Sequence, residues 1–375
     1  MKQAVVGMSG GVDSSVTAYL LGEQGYGVIG LSLFMWDNIQ QEHAACCSFR
    51  SIEDASQAAR RFGFEHSVID VRDQFLRLVI EPFVRGYIAG STPNPCILCN
   101  QHIKFPSLIS AAKQRGVQHI ATGHYARVEK QQHTKSVASR NKGTREVQLF
   151  ALKKGIDRRK DQSYVLYVLG QHELKRLILP LGDQKKDDVR KLARELHLPA
   201  AERSESQEIC FIADKNYSHF IEKYIKLASQ GPILDLKGNM LGTHRGVHRY
   251  TVGQRKRIGV SSKNPLYVLK IDAVRNTLYV GPSEEARKSH FTVSTVNWVI
   301  PPPSDHFKAT VKVRSTMKDE PATITLQKKF SRGKRNQATV HVNFDRPQWA
   351  PAPGQSAVFY NDDTIVGGGI ITAPE

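Results

Sequence analysis

An apolar run from Gln3 to Gly7 passes directly into Gly7-Met8-Ser9-Gly10-Gly11-Val12-Asp13-Ser14-Ser15, and a helical period follows from Ser14 to Gln24, ending at Gly25. A strand that turns through small residues straight into a helix leaves few architectures open. The turn exposes backbone N–H groups at the positive end of a helix dipole, a setting able to cradle phosphate oxygens. Ser9 and Ser14 can add hydroxyl donors, and Asp13 could hold a magnesium ion bridging phosphates. The run Val28 to Phe34 completes a strand, helix, strand unit. Ser51-Ile52-Glu53-Asp54 looks like the capped start of a helix reaching Phe62, with Gly63 after it and a strand from His66 to Asp70. A helix around Leu108 to Gln114 precedes another strand, His119 to Thr122. This alternation predicts an α/β fold, a doubly wound parallel sheet whose ligands gather at its carboxyl edge.

The later chain changes character. Lys130 to Val147 is basic and poor in large apolar groups, and reads as a flexible surface insertion that could meet RNA. Helical patterns return over Gln162 to Leu177 and Lys185 to Leu196. From Gly231 strands dominate: Leu266 to Ile271 and Thr277 to Val280 form a hairpin pattern. Thr310 to Arg314, Ala322 to Leu326, Ala338 to Val342 and Ser356 to Tyr360 read as barrel or sandwich strands. Boundaries fall near Ala200 and Pro282, giving units 1–200, 201–282 and 283–375.

A chain of 375 residues suits two or three such domains. Its 53 Lys+Arg against 35 Asp+Glu leave a net charge of +18, a surface that attracts polyanions such as nucleic acid. No apolar stretch approaches the roughly 18 residues that span a bilayer, and strand-like sequence begins at Gln3, so a cytoplasmic protein with no membrane partner is expected. In a reducing compartment the five cysteines, Cys46, Cys47, Cys96, Cys99 and Cys210, point to thiol chemistry or metal binding rather than to a disulfide framework. Cys96 and Cys99 lie on a loop stiffened by Pro93 and Pro95, and Cys210 lies in a polar segment far downstream. Cys96 and Cys99 have metal-like spacing and with Cys210, and Cys46 or Cys47, could hold zinc or an iron-sulfur cluster. The plainer reading makes Cys46 and Cys47 inert small residues.

The glycine turn is neither a Walker loop nor a dinucleotide fingerprint. It resembles the PP-loop, Ser-Gly-Gly-x-Asp-Ser, here Ser9 to Ser14. Further matches are the Asn-Pro-x-x-x-Cys-Asn segment Asn94 to Asn100, Thr122-Gly123-His124-Tyr125, Lys160-Asp161-Gln162-Ser163, Ser206 to Phe211, and Gly354 to Tyr360. Together they span the chain, which resembles the tRNA-specific 2-thiouridylases. That resemblance implies a PP-loop ATPase domain, a small central domain and a C-terminal β-barrel. It also implies ATP, with magnesium, used to adenylate the wobble uridine of tRNA before sulfur replaces its 2-oxygen.

Carried over residue by residue, the resemblance assigns ATP to Gly7, Met8, Ser9, Gly10, Gly11, Val12, Asp13, Ser14, Leu33 and Gly123. Cys99 becomes the nucleophile and Cys210 the persulfide carrier, fed by a sulfur-carrier protein or cysteine desulfurase, while Asn94, Pro95 and Cys96 contact the target base. The commonest family pattern has Asp where this chain has Cys96. His124, Lys160, Asp161, Gln162, Arg314, Ser315 and Gln355 fall at tRNA-contact positions, Ser315 where an aromatic is frequent. The basic run Lys328, Lys329, Arg332, Lys334 and Arg335 reads equally as a phosphate track or a solvated loop. Two rivals stay open: a PP-loop ligase acting on a small substrate, and a non-catalytic RNA-binding protein with a structural metal.

Overall fold

The computed structural model of the chain describes residues 1–36, 49–137, 143–202, 209–212, 216–225, 229–327 and 339–372. Strands β1 (Gln3–Gly7), β2 (Gly27–Phe34) and β3 (Glu65–Asp70) run parallel, joined by the helices Val12–Glu23 and Phe49–Phe62. Gly25, at φ +79°, closes the first helix as its position in the sequence predicts. The helix Glu81–Ile88, the short helix Pro95–Cys99 and the helix Phe105–Gln114 lead to β4 (His119–Ala121). A ribbon of β5 (Ala126–Val137) and β6 (Gly143–Lys154) follows, and then β7 (Leu177–Ile178). The parallel sheet has the order β3-β2-β1-β4-β7. β1 lies at its centre with Ala4, Val5 and Val6 fully buried, which is why its residues read as an unbroken apolar run.

Two expectations change here. Lys130 to Val147 is not an irregular insertion where it is described: β5 and β6 pair continuously, from Ala126 opposite Lys154 to Val137 opposite Gly143. A two-stranded ladder is held by backbone bonds and tolerates polar side chains on both faces, so the sequence carries little apolar alternation. Gln162 to Leu177 is not one helix. It splits into a 3-10 turn, Ser163–Leu166, and a single helical turn, Gln171–Leu174, separated by the extended backbone of Gly170 at φ −103° and ψ −176°. Side chains pair backbone groups that a continuous helix would have paired: Asn100 Nδ2 donates to Val165 O at 2.9 Å, Asn297 Nδ2 donates to Tyr167 O at 2.6 Å and Leu169 O at 3.2 Å, and Gly170 N donates to Glu173 Oε2 at 2.8 Å.

The central unit is a four-stranded sheet of β8 (Gly231–Leu234), β9 (Met240–His244), β10 (Tyr267–Asp272) and β11 (Thr277–Gly281), in the order β10-β11-β8-β9. The last unit holds β12 (Arg287–Trp298), β13 (His306–Lys312), β14 (Glu320–Gln327), β15 (Thr339–Trp349), β16 (Ser356–Asn361) and β17 (Thr364–Ile371). These run antiparallel, and pairing of β12 with both β15 and β17 closes them into a barrel. Closure removes the exposed edges that an open sheet would present. The ribbon β5–β6 joins this barrel's sheet at one pair, Thr364 opposite Lys153. The basic run from Lys328 to Arg335 lies outside the described residues.

The barrel meets the first unit at Tyr164 and Tyr167. Tyr164 donates to Ser356 O at 2.8 Å, and the Tyr167 hydroxyl lies 3.0 Å from Ser356 Oγ. Gly368 of β17 lets this contact close, because a Cβ there would stand 2.8 Å from both Tyr167 Cδ2 and Ala357 O. Gly368→Ala should therefore lower stability by about 1–3 kcal/mol through overpacking. The check is the urea midpoint, and an unchanged midpoint counts against this packing.

Candidate active site

The loop after β1 is built around Gly10, whose backbone takes φ +71° and whose Cβ would fall 2.0 Å from Ser51 O. Only glycine fits both demands. The following helix begins at Val12 with Gly11 as a cap that has no side chain to offer its first amides, so those donors face the loop. Ser14 Oγ donates to Gly11 O at 3.0 Å and accepts from Ser9 N at 3.2 Å and Ser9 Oγ at 3.3 Å. The loop is thus folded on its own hydroxyls before any ligand arrives.

Asp13 does not stand ready for a magnesium ion. Lys186 Nζ lies 2.7 Å from its Oδ1 and 2.8 Å from its Oδ2, and the Tyr125 hydroxyl donates to Oδ1 at 2.8 Å. Lys186 was not among the residues that the sequence singled out. It shares the buried face of the helix Lys186–Glu195 with Val189 and Ala193, so a lysine at an apolar helical period was the available signal. Its backbone N–H donates to Asp157 Oδ2 at 3.1 Å. Burial would raise the Asp157 carboxyl, but the N–H groups of Lys186 and Arg159 outweigh that and hold it below its ordinary value.

Behind the loop, Ser32 Oγ donates to Met8 O at 2.8 Å and lies 2.8 Å from His66 Nε2. The hydroxyl has one proton, already given to Met8, so His66 must donate through Nε2. Leu33 is 7% exposed at the same end of β2. Gly123 presses on the loop: a Cβ would meet Asp13 C at 2.8 Å and Asp13 O at 2.9 Å. His124, expected to face RNA, is buried instead. Its Nδ1 pairs with Thr122 Oγ1 at 2.8 Å and its ring stacks on Phe105. Burial, reinforced by the Lys104 charge, holds its imidazole well below the ordinary range and therefore neutral.

Asn94 caps the helix Pro95–Cys99 by accepting from Cys96 N at 3.0 Å. Pro95 is buried, Cys96 exposed and Cys99 9% exposed. A π-helical turn, Asn100–Lys104, follows Cys99 directly, a distortion frequent at functional sites. Cys99 Sγ lies 3.8 Å from Met35 Sδ, just past the carboxyl end of β2. Cys210 packs against the same hydrophobic core. Its neighbour Phe211 meets Phe220 at 5.1 Å, and Phe220 meets Trp36 at 6.2 Å between ring centroids. Met35 and Trp36 thus connect the surroundings of the two cysteines. Buried Asn100 donates to Val165 O at 2.9 Å, while its Oδ1 has no hydrogen-bond partner among the described residues.

Among the described residues no three of His, Cys, Asp and Glu gather as metal ligands, Cys96, Cys99 and Cys210 included, and Cys46 and Cys47 lie outside them. Ser206 to Glu208 also lie outside. No described helix is long and apolar enough to cross a membrane.

The remaining positions are largely committed within the protein. The Asp161 side chain is 4% exposed, accepts from Gly155 N, Ser163 N and Ser163 Oγ, and lies 3.9 Å from Lys312 Nζ, so it does not face solvent. Lys160 is partly exposed and Gln162 is exposed, with Gln162 Oε1 accepting from Tyr125 N at 2.9 Å. Arg314 Nη2 donates to Val252 O at 2.9 Å and Ala350 O at 3.1 Å, Gln355 Nε2 donates to Thr92 O at 2.8 Å, and Ser315 is exposed.

A family model described as the HUP domain of tRNA methyl transferase matches residues 2–214. The PRC-barrel model of that description matches 218–282, and an aminomethyltransferase β-barrel model matches 288–371. The chain is 43% identical to tRNA-specific 2-thiouridylase MnmA 1 of Caldanaerobacter subterraneus subsp. tengcongensis, over 98% of this chain and 97% of that one. It is 39% identical to tRNA-specific 2-thiouridylase MnmA of Clostridioides difficile, over 99% and 98%. With the MnmA of Geobacter metallireducens the identity is 42%, over 99% and 97%.

Two measurements check this geometry. An unfolded His124 takes up a proton below about pH 6.5, whereas the folded one does not, so its contribution is present above that pH and lost as pH falls. His124→Gln should lose less stability than wild type between about pH 6.5 and 5, by up to about 1.4 kcal/mol per pH unit, in urea melts. Lys186→Met should cost about 1–3 kcal/mol, less than a fully buried pair, because the Asp13 side chain is 34% exposed. If Lys186→Ala and Lys186→Met both melt like wild type, the pair contributes nothing.

Proposed function

The chain belongs to the tRNA-specific 2-thiouridylase family, and on that basis we propose that it adenylates the wobble uridine of tRNA with ATP and replaces the 2-oxygen of that base with sulfur. One observation carries the reading to this chain's own residues. A glycine loop at a helix start and a buried cysteine occupy the same carboxyl edge of the parallel sheet, and the second cysteine packs on the same core.

Gly7 to Ser14 would receive the pyrophosphate part of ATP, with Leu33 beside the adenine and Gly123 closing the loop from behind. Magnesium would arrive on the phosphates themselves, since Asp13 is held by Lys186. A uridine carbonyl has no leaving group. Its O2 attacks the α-phosphorus, pyrophosphate departs, and the oxygen becomes part of a good leaving group. The terminal sulfur of a Cys210 persulfide adds to C2 and AMP carries the oxygen away. Cys99 thiolate then attacks Cys210 Sγ, which leaves sulfur on the base and a Cys99–Cys210 disulfide for an external thiol to reduce. Released sulfide as the attacking species gives the same balance.

The base would have to leave its stack and lie against Asn94, Pro95 and Cys96. Of the Lys160 to Gln162 segment, Lys160 and Gln162 would meet tRNA, because the Asp161 side chain is turned inward. Ser315, and Arg314 and Gln355 at their exposed edges, would extend that contact. A sulfur-carrier protein or a desulfurase must load Cys210, and the cytoplasm suits a thiol cycle that ends in reduction. Methyl transfer, the activity in the name of the first-domain model, would require neither adenylation nor two thiols.

The test is incubation of the full chain with tRNA, ATP and a persulfide donor, reading AMP, pyrophosphate and 2-thiouridine by nucleoside mass spectrometry. Wild type should produce all three. Cys99→Ser and Cys210→Ser should each lose more than about a thousandfold in 2-thiouridine formation. A normal rate in either variant, or no AMP from wild type, refutes the reading.

A further inference from the structure

We propose that the loop Gln254–Arg257 of the central unit is a phosphate-binding surface for the tRNA substrate, a role that rests on the reading above. Arg255, Lys256 and Arg257 are consecutive and exposed, and none has a side-chain hydrogen bond or ion pair among the described residues. Several exposed cations elsewhere are matched: Arg60 with Glu53 at 2.9 Å, Arg158 with Asp363 at 2.6 Å, Lys308 with Asp345 at 2.8 Å. Three adjacent unmatched charges repel one another, and folding alone gives no reason to gather them.

The loop is also held firmly. Gln254 Oε1 accepts from Thr251 N at 3.1 Å and Gln254 Nε2 donates to Lys256 O at 2.9 Å, so one side chain ties the turn from inside. Gly253 N donates to Val268 O and Val268 N to Gln254 O, fixing the base of the loop on β10. At the far end Ile258 is 5% exposed in the core of the central unit, while Arg257 takes the left-handed φ of +62°. A non-glycine residue held there is strained, and the strain persists because both flanks are anchored. The charges are thus presented in a set arrangement, which lowers the ordering cost of binding an anion.

Its position fits the same substrate. Tyr217, which packs on Tyr87 at 4.7 Å between ring centroids, donates to Arg249 O at 3.1 Å, shortly before the loop. Tyr87 lies on the helix Glu81–Ile88, which runs into Ser91–Asn94 and the cysteine helix. Arg314 binds Val252 O from the barrel side. The loop therefore borders the face that carries Cys96 and Cys99, where backbone flanking an extruded base would pass. Guanidinium groups match phosphate oxygens two at a time, and such pairings set orientation without reading sequence.

The experiment compares tRNA affinity of the full chain, by fluorescence anisotropy over about 50–200 mM salt, with that of Arg255→Gln/Lys256→Gln/Arg257→Gln. The log–log salt slope should fall by about 0.7–0.9 for each phosphate no longer neutralised, near two for the triple, with Kd at the upper salt raised about tenfold. Turnover at saturating tRNA should stay at the wild-type level. Lys2→Gln/Arg61→Gln/Lys113→Gln, which removes equal charge from the amino edge of the parallel sheet, should leave the slope unchanged. Lys256→Gln alone, whose side chain takes no part in the turn, should lower the slope by about 0.7–0.9 even if the triple variant folds poorly. A wild-type slope in both loop variants overturns the proposal, as does an equal change in the control. Normal tRNA affinity with slowed sulfur loading from a donor protein assigns the loop to that protein and overturns it as well. Absence of AMP from wild type would defeat thiolation but leave the slope comparison valid, so the two failures are distinguishable.

Discussion

The phosphate loop depends on a charge pair that lies beneath it. Lys186 and Asp13 are 173 residues apart in sequence, yet the ammonium bridges both carboxylate oxygens and packs 5.6 Å from the Tyr125 ring centroid. Two cap-lacking helix starts, at Val12 and Lys186, are thereby fixed against each other. The Asp157 carboxylate binds the second helix start from the other side. A buried charge is costly unless paired and hydrogen-bonded, and here each member has several partners. The first amides of the Val12 helix can then point at a ligand without the helix shifting to meet it.

A second constraint joins the units. Arg314 holds backbone oxygens of the central unit and of the segment just after β15 together, and Gln355 holds Thr92 O, two residues before the Asn94 cap of the cysteine helix. Thr92 N in turn donates to Pro353 O at 2.8 Å. Burial lowers the Lys312 ammonium while Asp161 and Asp319 oppose that shift, so the outer face of the barrel, where it meets the first unit, keeps its charges paired at the same boundary. The barrel thus forms part of the mounting of the cysteine loop. Side chains that the sequence assigns to RNA carry this mounting through donors aimed inward.

How far the sequence spoke depends on the kind of force involved. The buried strands of the parallel sheet, the glycine loop, the hairpin of β10 and β11 and four barrel strands are legible, because apolar periodicity and turn residues leave a local trace. Strands β12 and β17 are less so. β17 contains Gly367, Gly368 and Gly369, whose presence is explained only by the surfaces of Tyr167, Asn297 and Ser294 packed against them. The β5–β6 ribbon was hidden for the opposite reason, since backbone ladders need no particular side chain. In the candidate site the sequence points to motif positions, whereas Lys186 and His66 lie outside them and act, as Tyr125 does, through partners remote in sequence. His124 and Asp161 look polar and available in a motif, and burial in the fold reverses that.

The charge of the chain is distributed by the same logic. A net +18 could be spread as solvated surface, in which case it would say little about partners. Many of the described cations are spent internally: Lys186 on Asp13, Lys154 on Asp319, Arg127 on Glu129 and Asp363, Arg249 on Glu222. What remains unmatched on rigid backbone is more informative than the total. Arg255 to Arg257 stand out because the turn beneath them is over-determined, by Gln254 inside and Ile258 behind, although solvated charge needs no such support. A fold that anchors three like charges this firmly is stabilised by whatever anion they meet, and a nucleic-acid backbone supplies such anions at regular spacing.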